Sequence, residues 1–469
     1  MTRARLVFPA LRAQRGVFTH ERAKITAALA AGVGGFILFG GSRAAVTALT
    51  RALRRDARRG LLVGSDLERG PGQQFRGLTE LPPPAALGFL DDLDATYAAG
   101  MITATEAHAV GVSWAFAPVC DLDLEARNPI VQTRSFGPDP SRVAAHAAKW
   151  IAGCQEHGVM ACAKHYPGHG RATSDSHEGV PVVETSFVEL RLTDAVPFAA
   201  AVQAGVGSVM SAFVAYPGWD DSGVAAAFSK PVLGYLRDPL GFKGLVVTDA
   251  FIMGGATAAQ SEGPASVAAV SAGCDALLYP TDWQGVIRAL DAVPEPRVEE
   301  AAGRYETALS KYGTRDAGSV GAATLSEHAR FADGLADRAV HLLRGDKPRL
   351  AGPLSVDVVD DDVGGPYSIA SRDVFAKTLG VTPGRRPGVS RVLAVYSEPR
   401  SWKGRGDLGE RSVAQLERLT PSAELVVLFG HPRLVAQVPG DMPVVCAWHG
   451  QALMQRAAAR WVLGQRAAR

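Results

Sequence analysis

Residues 160–181 read MACAKHYPGHGRATSDSHEGVP. The apolar run Met160–Ala163 has the length and composition of a buried strand. It breaks at once into Lys164 and His165, then into His169, Asp175 and His177 among glycines, which is loop composition. A strand that ends in this much ionisable chemistry predicts a site at its C-terminal end. The fold follows from how often the rest of the chain repeats the arrangement.

It repeats along residues 1–315. Short apolar runs at Gly35–Phe39, Leu61–Asp66, Trp114–Asp121, Gly207–Phe213, Gly244–Asp249 and Cys274–Pro280 alternate with stretches of helical periodicity such as Ser141–His157 and Glu189–Ala204. The helix near Ser141 is well signalled, with Asp139 as N-cap, Pro140 at the first position and Gly158 after His157. Alternating strands and helices predict a parallel sheet, and seven or eight repeats in this length suit a closed (β/α)8 TIM-type barrel better than an open sheet. Asp66, Asp121, Lys164-His165 and Asp249 each stand where an apolar strand stops. In such a barrel all C-terminal strand ends open on one face, so these residues are expected to converge.

Residues 316–348 read as a linker and a helix, Ser326–Leu343. Residues 349–469 then read as a smaller α/β sandwich domain, with strands at Pro353–Val359, Val392–Tyr396, Glu424–Phe429 and Pro443–Trp448. Its loop Ser397–Leu408, carrying Trp402, is expected in solvent rather than over the barrel mouth.

Bulk properties narrow the function. At 469 residues two domains are expected, and 47% apolar with 20% charged residues describes a soluble globular chain. A net charge of +2 gives no reason to expect a nucleic-acid or acidic-membrane partner; the arginines of 51–59 read as the solvated face of a helix. The five cysteines are scattered without a C-x-x-C pair, which argues against a disulfide framework or a thiolate metal site. With no apolar segment of signal-peptide or membrane-spanning length, the expectation is a cytoplasmic protein acting on a small molecule, of open oligomeric state.

At the strand ends, Asp249 closes the run Leu245-Val246-Val247-Thr248 and is either a nucleophile or the N-cap of the helix that follows. His177, two residues after Asp175 on a polar loop, is a candidate acid/base oriented by a carboxylate, or a solvated loop residue. Lys164 and His165 can donate to sugar hydroxyls or an anion. A metal held by His165, His169, His177 and Asp175 is the weaker alternative, because their spacing has no helical register. Asp66 and Arg134, the latter in NPIVQTRSFG, suit recognition of a hydroxyl-rich ligand or surface salt bridges.

Taken together, GGFILF, GSDLE, APVCDLD, RSFG, KHYPGHG, TSDSHEGVP, VMSAFVAYP and GFKGLVVTDAFIMGGA resemble, in order and spacing, glycoside hydrolase family 3, specifically its bacterial β-N-acetylglucosaminidase branch. The resemblance covers residues 30–260 well and is loose beyond. It implies a retaining exo-glycosidase without cofactor or metal, in which Asp249 is the nucleophile and His177, paired with Asp175, the acid/base. It further implies that Asp66, Arg134, Lys164 and His165 hold the sugar. The chain departs from these relatives in three places. Arg69-Gly70-Pro71-Gly72-Gln73-Gln74 stands where they read G-G-R-V-Q-R, Phe213 stands where histidine is common, and Ala250 follows Asp249 in place of a second acid. A phosphorylase taking the sugar onto phosphate, or a catalytically idle sugar-binding protein, remain the alternatives.

Overall fold

The apolar runs of the N-terminal half form strands, and every pairing among them is parallel. The computed structural model describes residues 2–176, 179–258, 260–313, 318–348, 350–365, 369–381 and 389–465. Two units emerge. The first comprises Met1–Glu80, Asp92–Leu124 and Gly137–His328; the second comprises Leu81–Asp91, Glu125–Phe136 and Ala329–Arg469.

In the first unit the strands are β1 (Val7–Phe8), β2 (Ala10–Arg12), β3 (Gly35–Phe39), β4 (Leu62–Ser65), β5 (Trp114–Ala115), β6 (Met160–Tyr166), β7 (Ser208–Ser211), β8 (Leu245–Ala250) and β9 (Ala276–Leu278), in the order β1-β9-β8-β7-β6-β5-β4-β3-β2. β1 and β2 are two halves of one stretch divided at Pro9. The first half pairs with β9 through Val7 and Leu277, the second with β3 through Ala10 and Ile37. That divided strand brings the sheet back on itself as a (β/α)8 barrel, and it is the strand that sequence reasoning missed. Proline cannot donate to a ladder, but the Pro9 carbonyl still accepts from Ile37 N–H at 3.0 Å.

Inward-facing residues alternate with outward ones, as the pleat requires. Phe8, Ala10, Ile37, Leu62, Trp114, Phe116, Met160, Cys162, Met210, Leu245, Val247 and Leu278 fill the barrel. Gly64 belongs there because a Cβ at that position would meet the Phe116 ring at 2.6 Å. Gly64→Ala is therefore expected to destabilise the barrel by roughly 1–3 kcal/mol, read as a lowered urea midpoint; an unchanged midpoint would show that Phe116 can give way. The helix Glu295–Tyr312 packs Tyr305 and Tyr312 against this core, and Tyr305 Oη donates to Gly34 O at 2.7 Å. Gly34 precedes β3, so the N-terminal end of the barrel is closed and its chemistry faces the other way.

Local signals held for the helix Pro140–Glu156, where the Asp139 carboxylate accepts from Arg142 N–H at 2.7 Å. The stretch expected as one helix, Glu189–Ala204, is two, Phe187–Leu192 and Val196–Gln203. They break where buried Asp194 takes the Arg171 guanidinium at 2.8 Å, and Pro197 opens the second. Strand β5 is shorter than Trp114–Asp121, although the chain beyond it stays beside β6: Cys162 N–H donates to Ala117 O at 2.8 Å, and Val119 bridges Lys164 in parallel.

The second unit holds a five-stranded mixed sheet of β10 (His341–Arg344), β11 (Leu354–Asp360), β12 (Ser390–Ser397), β13 (Leu425–Gly430) and β14 (Val444–Cys446), ordered β10-β14-β13-β12-β11. The pairs β11–β12, β12–β13 and β13–β14 are parallel, and β10 joins β14 antiparallel. The helix expected over Ser326–Leu343 runs Ala322–Ala339, and His341-Leu342-Leu343-Arg344 becomes the edge strand β10. The loop Ser397–Leu408 is not a free solvent loop. Lys403 Nζ lies 2.7 Å from Asp361 and 3.2 Å from Asp362, and Arg372 ties Asp360, Asp362 and Glu398 together at 2.6–3.1 Å, so the ends of β11 and β12 are clamped. Among the described residues no helix is long and apolar enough to cross a membrane.

Candidate active site

The alternation that fills the barrel also places its chemistry. On β6, Met160 and Cys162 point inward, and two residues on comes Lys164; on β8, Leu245 and Val247 lead to Asp249. On β4, Leu62 and Gly64 lead to Asp66. Cys162 lies beneath all three. Burial pushes its thiol up to about 12, and the charges of Lys164, Asp66 and Asp249 all act on it. Parity and strand order thus converge three charges that are far apart in sequence.

Lys164 is 2% exposed, and its ammonium lies 2.8 Å from Asp66 Oδ1 and 2.7 Å from Glu68 Oε1. One cation therefore serves two carboxylates. Glu68 is buried beside the lysine, whereas the Asp66 side chain is 32% exposed and can still accept from a ligand. Glu68 is a residue that sequence reasoning left without a role. It lies in the turn just after β4, beyond the reach of the strand period, so only its nearness in sequence to Asp66 could have signalled it.

His165 continues β6 through a cis Lys164–His165 peptide. Its Nδ1 lies 2.6 Å from Asp121 Oδ2, and its Nε2 lies 3.9 Å from Asp249 Oδ2. Asp121 is fully buried, and its other oxygen accepts the main-chain N–H groups of His165 at 3.1 Å and His169 at 2.7 Å. Burial alone would raise the Asp121 carboxyl, but the two imidazoles and the N–H donors outweigh it and hold it at about 2. The sequence marked Asp121 as a polar strand end without giving it work.

Asp249 is not a helix cap. The short helix that follows it, Gly254–Thr257, has Met253 at its N-cap position. The Asp249 carboxylate instead accepts from Ala250 N–H at 2.7 Å with one oxygen and faces His165 with the other, and its side chain is 17% exposed. Phe213 is buried against Phe228 and Phe251, centroids 5.5 and 5.7 Å away. It supports the segment after Asp249.

Asp175 is buried, and its charge is felt by His169. His169 Nε2 lies 3.0 Å from Ser176 Oγ, and burial pushes that imidazole below its usual range. Ser176 O accepts from Gly255 N–H at 2.8 Å, which ties the loop carrying Asp175 to the segment that follows Asp249. His177 lies outside the described residues. Arg134 ends the 3-10 turn Gln132–Arg134 and donates to Ile130 O at 3.2 Å; it belongs to the second unit. The structure thus brings together Asp66, Lys164, His165 and Asp249, and adds Glu68 and Asp121.

A family model for the glycosyl hydrolase family 3 N-terminal domain matches residues 10–307. The chain belongs to glycoside hydrolase family 3. A β-hexosaminidase of Chromobacterium violaceum is 38% identical to this glycoside hydrolase over 297 residues, covering 60% of this chain and 81% of the relative. The structure of a family 3 β-N-acetylglucosaminidase from a Paenibacillus species superposes with a TM-score of 0.86 at 25% identity, covering 100% of this chain and 97% of that one. NagZ from Neisseria gonorrhoeae, solved with N-trifluoroacetyl-D-glucosamine, gives 0.60 at 28% identity over 70% of this chain and 97% of its own.

Proposed function

We propose that this family 3 enzyme is a retaining exo-β-N-acetylglucosaminidase that removes terminal β-linked N-acetylglucosamine. The observation that carries the reading is Asp249, a part-exposed carboxylate at the end of β8 with one oxygen held by a main-chain N–H and the other beside the His165 imidazole. Asp249 attacks the anomeric carbon while His177, paired with Asp175, protonates the leaving oxygen. The glycosyl–aspartate ester is then released by water that His177 deprotonates. Asp66, Arg134, Lys164 and His165 bind the sugar hydroxyls. The relatives' names supply the choice of sugar, and five buried thiols are in keeping with a reducing, cytoplasmic setting.

Aryl N-acetylglucosaminide, glucoside and N-acetylgalactosaminide, each assayed with and without phosphate, test the proposal. The expected result is fastest cleavage of the N-acetylglucosaminide, free sugar as product, retained configuration at first release, and no effect of phosphate. A sugar 1-phosphate would make the enzyme a phosphorylase, a preference for another glycoside would overturn the sugar, and no cleavage of any would leave a binding protein.

A further inference from the structure

Asp121 divides its two oxygens between two tasks. Oδ1 takes two main-chain N–H groups and so shapes the turn from His165 to His169. Oδ2 is spent on the His165 ring at 2.6 Å. A carboxylate that is ionised at neutral pH can only accept, so the proton in this bond sits on Nδ1. That leaves Nε2 as the nitrogen presented to Asp249 at 3.9 Å.

We propose that Asp121 is a positioning residue for the reaction: by taking the Nδ1–H of His165 it fixes the tautomer and tilt of the ring, so that Nε2 is held against the attacking carboxylate and the bound sugar. This rests on the reading of Asp249 as nucleophile. An imidazole free to swap its nitrogens would offer either a donor or an acceptor at that point. Among the described residues, other charged or titratable groups near His165 are engaged. Lys164 is taken by Asp66 and Glu68, the His169 ring stands edge-on at 6.1 Å with Ser176 on its Nε2, and Asp175 acts on His169. Among the described residues, Asp121 is the group that holds Nδ1 of His165 and so sets which nitrogen faces Asp249.

Asp121→Asn separates the two tasks. The amide oxygen still accepts both main-chain N–H groups, while the amide nitrogen donates to Nδ1 and drives the proton to Nε2. The expected loss is roughly 10²-fold in kcat/KM, carried more by kcat than by KM. In a His165→Gln background the same change adds little, because Asp121 then has no ring to orient. Nitrogen-15 spectra of histidine-labelled enzyme, with His165 assigned from His165→Gln, are expected to show a protonated Nδ1 in the wild type and its loss in Asp121→Asn. Additive losses in the double variant overturn the proposal, as does a wild-type His165 whose Nδ1 carries no proton, a result that needs no variant to fold. Labelling wild-type enzyme with a slow activated fluoroglycoside and mapping the adduct tests Asp249 separately. A label on another residue sinks the nucleophile reading whatever Asp121 does.

Discussion

Asp249→Ala is expected to lower turnover of an aryl N-acetylglucosaminide by roughly 10⁴-fold or more, while the affinity for N-acetylglucosamine stays within a few-fold of wild type. The separation follows from where the residue sits. Asp249 touches Ala250 N–H and faces His165, but it takes no part in the Lys164–Asp66–Glu68 cluster, whose Lys164 and Asp66 are proposed to hold the sugar. On the proposed reading, truncation opens a space beneath the anomeric carbon and leaves the Lys164–Asp66 pair in place. A small anion such as azide should enter that space and restore part of the rate, giving a product of inverted configuration. Turnover within about tenfold of wild type would remove Asp249 from the reaction.

Lys164→Met should have the second largest effect, and it acts on stability as well as activity. The substitution keeps most of the length of the side chain and deletes its charge, so the carboxylates of Asp66 and Glu68 lose the ammonium that each meets within 3 Å. Breaking a buried pair by removing one partner costs about 3–5 kcal/mol, and the exposed share of Asp66 puts the expectation at the lower end. Urea denaturation reads that cost, and a Kd for N-acetylglucosamine reads the loss of the sugar-facing edge. Lys164→Met combined with Glu68→Gln should recover a good part of the stability, since the sealed carboxylate would then be neutral, while leaving binding weak. A single variant with wild-type urea midpoint and affinity would show that the cluster does neither job.

The barrel was legible because strands of a parallel sheet are buried on both faces and read as unbroken apolar runs, as GFILF and LVVTD do. Its first strand was not, because Pro9 cuts VFPALR into pieces of two and three residues, each too short to show a period. β10 escaped for the opposite reason, since HLLR continues the apolar spacing of the helix before it. In the site, Asp66, Lys164, His165 and Asp249 were visible as polar breaks at strand ends. Asp121 was visible as a strand end too, but its work was not, because that work depends on His165 and His169 folding their main chain over it, and the local sequence carries no trace of that bend. Nor does composition reveal that 81–91 and 125–136 pack with residues 329–469.

That last feature sets a timetable for synthesis. Phe89, on the helix Pro84–Leu90, stacks on His341 at 4.0 Å and lies 5.5 Å from Trp448; Gln132 donates to Gly406 O, and Arg433 to Glu125 O. Those partners leave the ribosome on the order of half a minute after Phe89 at bacterial elongation rates. The nascent barrel thus emerges with two early segments waiting for companions made much later, so the second unit cannot close until Trp448 has been made.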